Sequence, residues 1–219
     1  PSADGPVNQR AAQRALAAGA TLPKILAMLK QARAEVSIPI LLMGYLNPFL
    51  RYGLAELCRD AAAAGANGFI IPDLSPEDAG ELRPHAAKRG LDTVFLIAPT
   101  STPERLRRVA RESRGFVYAV SLTGVTGVRS ALPPDLRGFL ARARRQIRLP
   151  IAVGFGIGTP ATARTVARVS DGVIVGSAIV KRIEAAAAAK KDPVPAVQAL
   201  VRRLARAIRP ASLATGESS

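Results

Sequence analysis

An α/β fold of parallel strands with outer helices is predicted for this 219-residue chain by three observations. Short apolar runs recur along it, amphipathic stretches separate them, and glycine or Thr-Pro punctuation marks the junctions. The runs are IPILLMG (38–44), GFIIPD (68–73), TVFLIAP (93–99), GFVYAVS (115–121), PIAVGFG (150–156) and GVIVGSA (172–178). Both faces of each are apolar, as in a parallel strand with helices on one side and a core on the other.

The helical stretches between them are LAELCRDAAAAG (54–65), EDAGELRPHAAKRG (77–90), PERLRRVARESR (103–114), PDLRGFLARARRQI (134–147) and PATARTVARV (160–169). Gly65 and Gly90 close two of these just before a strand, at the place where left-handed backbone ends a helix. Thr102-Pro103 and Thr159-Pro160 each pair a capping hydroxyl with a residue suited to the first helical position. Two more helical patterns, NQRAAQRALAAG (8–19) and LPKILAMLKQARAEV (22–36), precede the first run. Past residue 184 a helix end, a turn at Asp192-Pro193 and a closing helix follow, and residues 210–219 are expected to be a disordered tail. Six strands with right-handed crossovers are therefore expected. Two architectures accommodate them: an open doubly wound sheet with a switch-point crevice, and a closed barrel whose site lies at the C-terminal strand ends.

Composition narrows the chemistry. The chain is 48% hydrophobic but only 4% aromatic, without tryptophan, so Ala, Val, Leu and Ile must build the core. Its single cysteine, Cys58, excludes an internal disulfide framework and fits a reducing cytoplasm. The apolar runs are far shorter than a membrane span. With one histidine, His85, inside a helical stretch, zinc sites and Cys/His nucleophiles have no candidates. The net charge of +15 comes from arginines spread over separate helices, as in RLRR (105–108), RARR (142–145) and RRLAR (202–206). That distribution reads as solvated helix faces rather than a nucleic-acid or membrane surface, with some attraction for an anionic substrate.

The strongest local signal is glycine at the last two strand ends, GFGIGTP (154–160) and VGSAIV (175–180). Backbone N–H groups at Gly156, Gly176 and Ser177, a possible N-cap, would converge on one phosphate. GFGIG lacks the third glycine of a dinucleotide fingerprint. The segment SLTGVTGVRSALPPD (121–135) is too long for a routine connection and reads as a lid. Acids near strand ends are few: Asp73, and Asp4 in the opening loop. Tyr45, Tyr118 and Phe155 stand near them, which suits a substrate with a flat ring and a phosphate tail.

In order, PSADGP, LMGYLNP, GFIIPDLSPED, FLIAPTSTPERL, GFVYAVSLTGVTGVR, PIAVGFGIGTP and DGVIVGSAIV resemble the α subunit family of tryptophan synthase over about residues 1–208. The resemblance implies a TIM (β/α)8 barrel, of which about six βα units are present. It implies a lyase of tryptophan biosynthesis that cleaves indole-3-glycerol phosphate to indole and glyceraldehyde 3-phosphate. No cofactor is implied in this subunit; the partner is a β subunit carrying pyridoxal phosphate, in an α2β2 complex. Asp4 falls on the aspartate that hydrogen-bonds the indole N–H, and Thr126 on the lid threonine that orients it. Gly127, Gly156, Gly176 and Ser177 fall on the phosphate loops, while Met43, Ile70, Leu96, Tyr118, Phe155 and Ile174 fall on the substrate pocket. Tyr45 and Asp73 fall at neighbouring strand ends. The family's first two strands, with the catalytic glutamate, are expected to be missing here, so that this chain alone lacks lyase activity. Asn8 departs from the family, which commonly has an apolar residue there. Two alternatives stand beside this reading: another phosphate-binding barrel, such as an isomerase of the histidine or tryptophan pathway, and a non-catalytic binding fragment.

Overall fold

Every apolar run contributes a strand, and all strands run parallel. The computed structural model describes residues 4–120, 135–154 and 156–209. The strands are β1 (Leu41–Met43), β2 (Gly68–Ile70), β3 (Asp92–Val94), β4 (Leu96–Ile97), β5 (Val117–Val120), β6 (Ile151–Gly154) and β7 (Gly172–Val173). β1, β2 and β3 are hydrogen-bonded in that order, and so are β4, β5, β6 and β7. The third run is thus split where one strand was expected. Before Phe95 it pairs with β2, Gly68 opposite Asp92; after it, with β5, Leu96 opposite Tyr118. The Tyr118 N–H donates to the Phe95 carbonyl at 3.1 Å across the break. Twist between neighbouring strands accumulates along a curled sheet, and here one strand leaves its first neighbour as it joins the second. Among the described residues, β1 pairs only with β2, and β7 only with β6.

Alternation along the strands separates two cores. Phe69, Phe95, Val117, Ile151 and Val153 face the helices and join the large outer core. Their sequence neighbours Ile70, Val94 and Tyr118 face the concave side, where Leu41, Leu96 and Ile174 pack against them. At β6 the concave positions are Ala152 and Gly154, small residues that leave space. Phe49 meets Phe69 edge-on at 5.9 Å between ring centroids.

The helices are α1 (Pro6–Ala17), α2 (Leu22–Arg33), α3 (Leu46–Tyr52), α4 (Leu54–Ala63), α5 (Leu82–Lys88), α6 (Pro103–Glu112), α7 (Leu136–Arg144), α8 (Pro160–Ala167), α9 (Ser177–Ala188) and α10 (Val194–Ile208). Both expected caps are made. Thr102 accepts from the Arg105 N–H, and Thr159 and Thr162 form a reciprocal capping box. Gly65 and Gly90 take positive φ, 89° and 67°, after α4 and α5. α3 was not foreseen: Pro48 falls in its first turn, where a missing N–H costs no helical bond. α6 buries Leu106 and Val109 and turns its arginines outward, Arg105 and Arg108 onto Glu77 and Arg107 onto Glu104. Cys58 is buried among helix residues, and burial pushes its thiol up to about 11. His85 is exposed on α5. No helix among the described residues is long and apolar enough to cross a membrane. The expected tail at 210–219 and residues 121–134 of the expected lid lie outside the described residues.

Phe69 is fully buried and joins the sheet to the helix layer. Phe69→Ala is expected to cost about 3–5 kcal/mol in urea unfolding, as aromatic truncation in a packed core does. A loss below about 1 kcal/mol would show that the outer core is not packed as described.

Candidate functional site

At the C-terminal strand rim, the loop before α1, the β1–α3 junction and β5 meet around one carboxylate. Asp4 precedes α1, whose N-cap is Gly5 and whose first residue is Pro6. Its Oδ2 accepts a hydrogen bond from the Tyr45 hydroxyl at 2.9 Å. Its Oδ1 accepts one from Asn8 Nδ2 at 3.1 Å, one helical turn on. Gln9 Nε2 donates to the Asp4 backbone carbonyl at 2.7 Å. The carboxylate is therefore oriented from both sides.

Tyr45 is placed by its neighbours. It is the N-cap residue of α3, directly after β1. The first residue of α3, Leu46, donates its N–H to Asp73 Oδ1 at 2.9 Å. That N–H has no helical acceptor, so a carboxylate from the loop after β2 completes the helix start and secures Tyr45. The sequence offered Asp73 as an acid at a strand end; here its carboxylate holds α3.

Tyr118 comes from the concave face of β5 and is buried. Its ring lies so close across Gly154 that a Cβ there would collide with both ring and hydroxyl. Burial, and then the negative charge of Asp4, push its phenol up to about 12. Ile70, Leu96 and Ile174 pack with Tyr118, so four of the expected pocket residues share one apolar surface. Met43 stands apart from that cluster: it ends the edge strand β1 and is 56% exposed.

The glycine loops neighbour one another. Gly156 takes φ +76° after β6. Gly176 is the N-cap of α9 and Ser177 its first residue, rather than the cap itself, and Gly176 supplies no capping side chain. A Cβ on Gly158 would stand 3.4 Å from the Ala178 side chain, so the loop after β6 touches the start of α9. The free N–H groups of that helix start can bind an anion. Phe155, Thr126 and Gly127 lie outside the described residues.

Three features escaped the sequence: the Asn8 bond to Asp4, the service of Asp73 to α3, and the packing of Tyr118 on Gly154. The last had a legible signal, a glycine on a strand whose neighbour carries a large ring. The first had one as well, an Asn four residues after an Asp at a helix start.

The family model described as tryptophan synthase alpha chain matches residues 1–209. The chain is 52% identical over 190 residues to the tryptophan synthase alpha chain of Geobacter sulfurreducens, an overlap of 87% of this chain and 72% of that one. It is 48% identical over 208 residues to the alpha chain of Chloroflexus aggregans, covering 94% and 77%. Among solved structures, tryptophan synthase subunit alpha from Legionella pneumophila superposes with a TM-score of 0.87 at 40% identity, covering 95% of this chain and 77% of that one. The curled parallel sheet with outer helices is thus of TIM-barrel type, and the doubly wound alternative is set aside.

The Tyr118 phenol ordinarily loses its proton near 10 and in the fold does so near 12. Between those values the unfolded chain binds fewer protons, so the contribution is full below about pH 10 and lost as pH rises through 12. Tyr118→Phe should remove a late phenolate absorbance step and flatten stability against pH in that window. An unmutated chain whose tyrosines all titrate near 10 would contradict the burial of Tyr118 beside Asp4.

Proposed function

The chain belongs to the tryptophan synthase alpha chain family, and from that premise we propose that its strand rim binds indole-3-glycerol phosphate for retro-aldol cleavage to indole and glyceraldehyde 3-phosphate. The observation that supports this most directly is the oriented Asp4 carboxylate beside the apolar surface of Tyr118, Ile70, Leu96 and Ile174. The indole ring lies against that surface, and the phosphate on the N–H groups of Gly156, Gly176 and Ser177. The resemblance adds Phe155 to the ring's surroundings and Gly127 to the phosphate's, both outside the described residues.

Asp4 accepts the indole N–H. As C3 takes a proton, positive charge develops on the ring nitrogen, and a carboxylate already fixed there stabilises the transition state more than the ground state. The bond from C3 to the side chain then breaks, its electron pair returns to the ring, and the adjacent hydroxyl loses its proton to leave the aldehyde. To Thr126, outside the described residues, the resemblance assigns the orienting of Asp4.

The proton transfers need a second acid. Among the described residues, Glu77 pairs with Arg105 and Arg108, Glu112 with Arg83, and Glu184 with Arg10 and Arg14. We assign the proton to a glutamate of the family's active site, as the resemblance of PSADGP implies. The subunit needs no cofactor of its own in this reading. It works in the cytoplasm with a tryptophan synthase beta subunit, as α2β2, and that partner holds pyridoxal phosphate and takes the indole.

Asp4→Asn is expected to slow indole release from indole-3-glycerol phosphate about 100-fold or more, the scale of one lost partner to developing charge. The unmutated chain is expected to bind the non-cleavable analogue indole-3-propanol phosphate. An unchanged rate in Asp4→Asn would remove Asp4 from the chemistry. Failure to bind the analogue would overturn the assignment of the pocket.

A further inference from the structure

Asn8 makes one polar contact and withholds another. Its Nδ2 donates to Asp4, while its Oδ1 is shielded from solvent and has no hydrogen-bond partner among the described residues. A buried amide oxygen left unpaired carries a desolvation cost that an arriving donor relieves. Asn8 is the third residue of α1, and its amide adjoins a carboxylate whose other oxygen is bound by Tyr45. Bracing Asp4 uses only the amide nitrogen and leaves this oxygen over.

We propose that Asn8 is a positioning and specificity residue. Its amide nitrogen fixes Asp4, and its amide oxygen accepts a hydrogen bond from the bound indole-bearing ligand, beside the bond that Asp4 takes from the ring N–H. This rests on the substrate reading above and adds a second acceptor to it. Together Asp4 Oδ1 and Asn8 Oδ1 form an acceptor pair around one N–H-bearing ring edge. Tyr45 and Asn8 supply the donors that keep the carboxylate from turning away. The site thereby reads a ring donor by two atoms, and a ring without that donor leaves the Asn8 oxygen unpaired and Asp4 with its protein donors alone.

The test uses the whole chain, which has no tryptophan, so the emission of the ligand's indole reports binding directly. Three ligands are compared: indole-3-propanol phosphate and its N-methylindole counterpart by direct titration, and glycerol phosphate by its displacement of indole-3-propanol phosphate. In the unmutated chain, N-methylation should weaken binding about tenfold or more, the scale of lost hydrogen bonds at charged acceptors. Asn8→Ile should weaken the N–H ligand about tenfold, bring it close to the N-methyl ligand, and leave glycerol phosphate unchanged. A merely structural role for Asn8 would weaken all three ligands alike or none, and either pattern overturns the proposal. If Asn8→Ile binds nothing, the side-chain amide resonance of Asn8 in the unmutated chain decides. It should shift with indole-3-propanol phosphate and stay still with glycerol phosphate; a resonance unmoved by both overturns the proposal. Failure of the unmutated chain to bind indole-3-propanol phosphate would instead sink the substrate reading itself.

Discussion

Two-sided burial of parallel strands is the constraint on which the molecule depends. Each strand must hide one row of side chains under helices and the other in the concave face, so Phe69 points outward while Ile70 points in, and Val117 outward while Tyr118 points in. Parallel direction then brings every strand to its C-terminal end at the same rim. The rim collects what the strands themselves cannot hold: Tyr45 after β1, Asp73 after β2, Gly156 after β6 and Gly176 after β7. The chemistry is possible because residues far apart in sequence are obliged to arrive there together.

On that frame the polar residues act in series. Asp73 completes the start of α3, α3 sets Tyr45, and Tyr45 with Asn8 sets the Asp4 carboxylate. Each of these hydrogen bonds ends on a carboxylate, and such bonds are worth about 1.5–3 kcal/mol in net stability. In the proposed reaction their value is positional, because a carboxylate prepared before charge develops spends nothing on reorienting. Tyr118 contributes differently. Its ring is seated on Gly154 among Ile70, Leu96 and Ile174, and burial raises its phenol pKa. The high charge is carried on the outside, where Arg105, Arg107 and Arg108 share carboxylates on exposed helix faces. Such pairs add little stability and are consistent with solvated faces.

The strands were legible because parallel strands buried on both faces leave uninterrupted apolar runs, and all six runs became strand. Helix starts were legible where a hydroxyl preceded proline, since Thr102 and Thr159 have few other uses in that position. α3 was hidden because its seven residues are too few to show a period and Pro48 reads as a breaker. The break at Phe95 was hidden because changing a pairing partner alters no side-chain pattern. At the site, glycine at Gly156 and Gly176 was readable from residue type alone, being the residue that allows close backbone approach. The Asp4–Tyr45 contact was not readable, for its partners are 41 positions apart and only the fold joins them.

A structure of this chain with indole-3-propanol phosphate tests the central claim most directly. The expected result places the indole nitrogen about 3 Å from the Asp4 carboxylate. It also places the ring against Tyr118 and the phosphate on the N–H groups of Gly156 and Gly176. A ligand whose phosphate sits there while its ring nitrogen points away from Asp4, or one bound elsewhere on the chain, would contradict it.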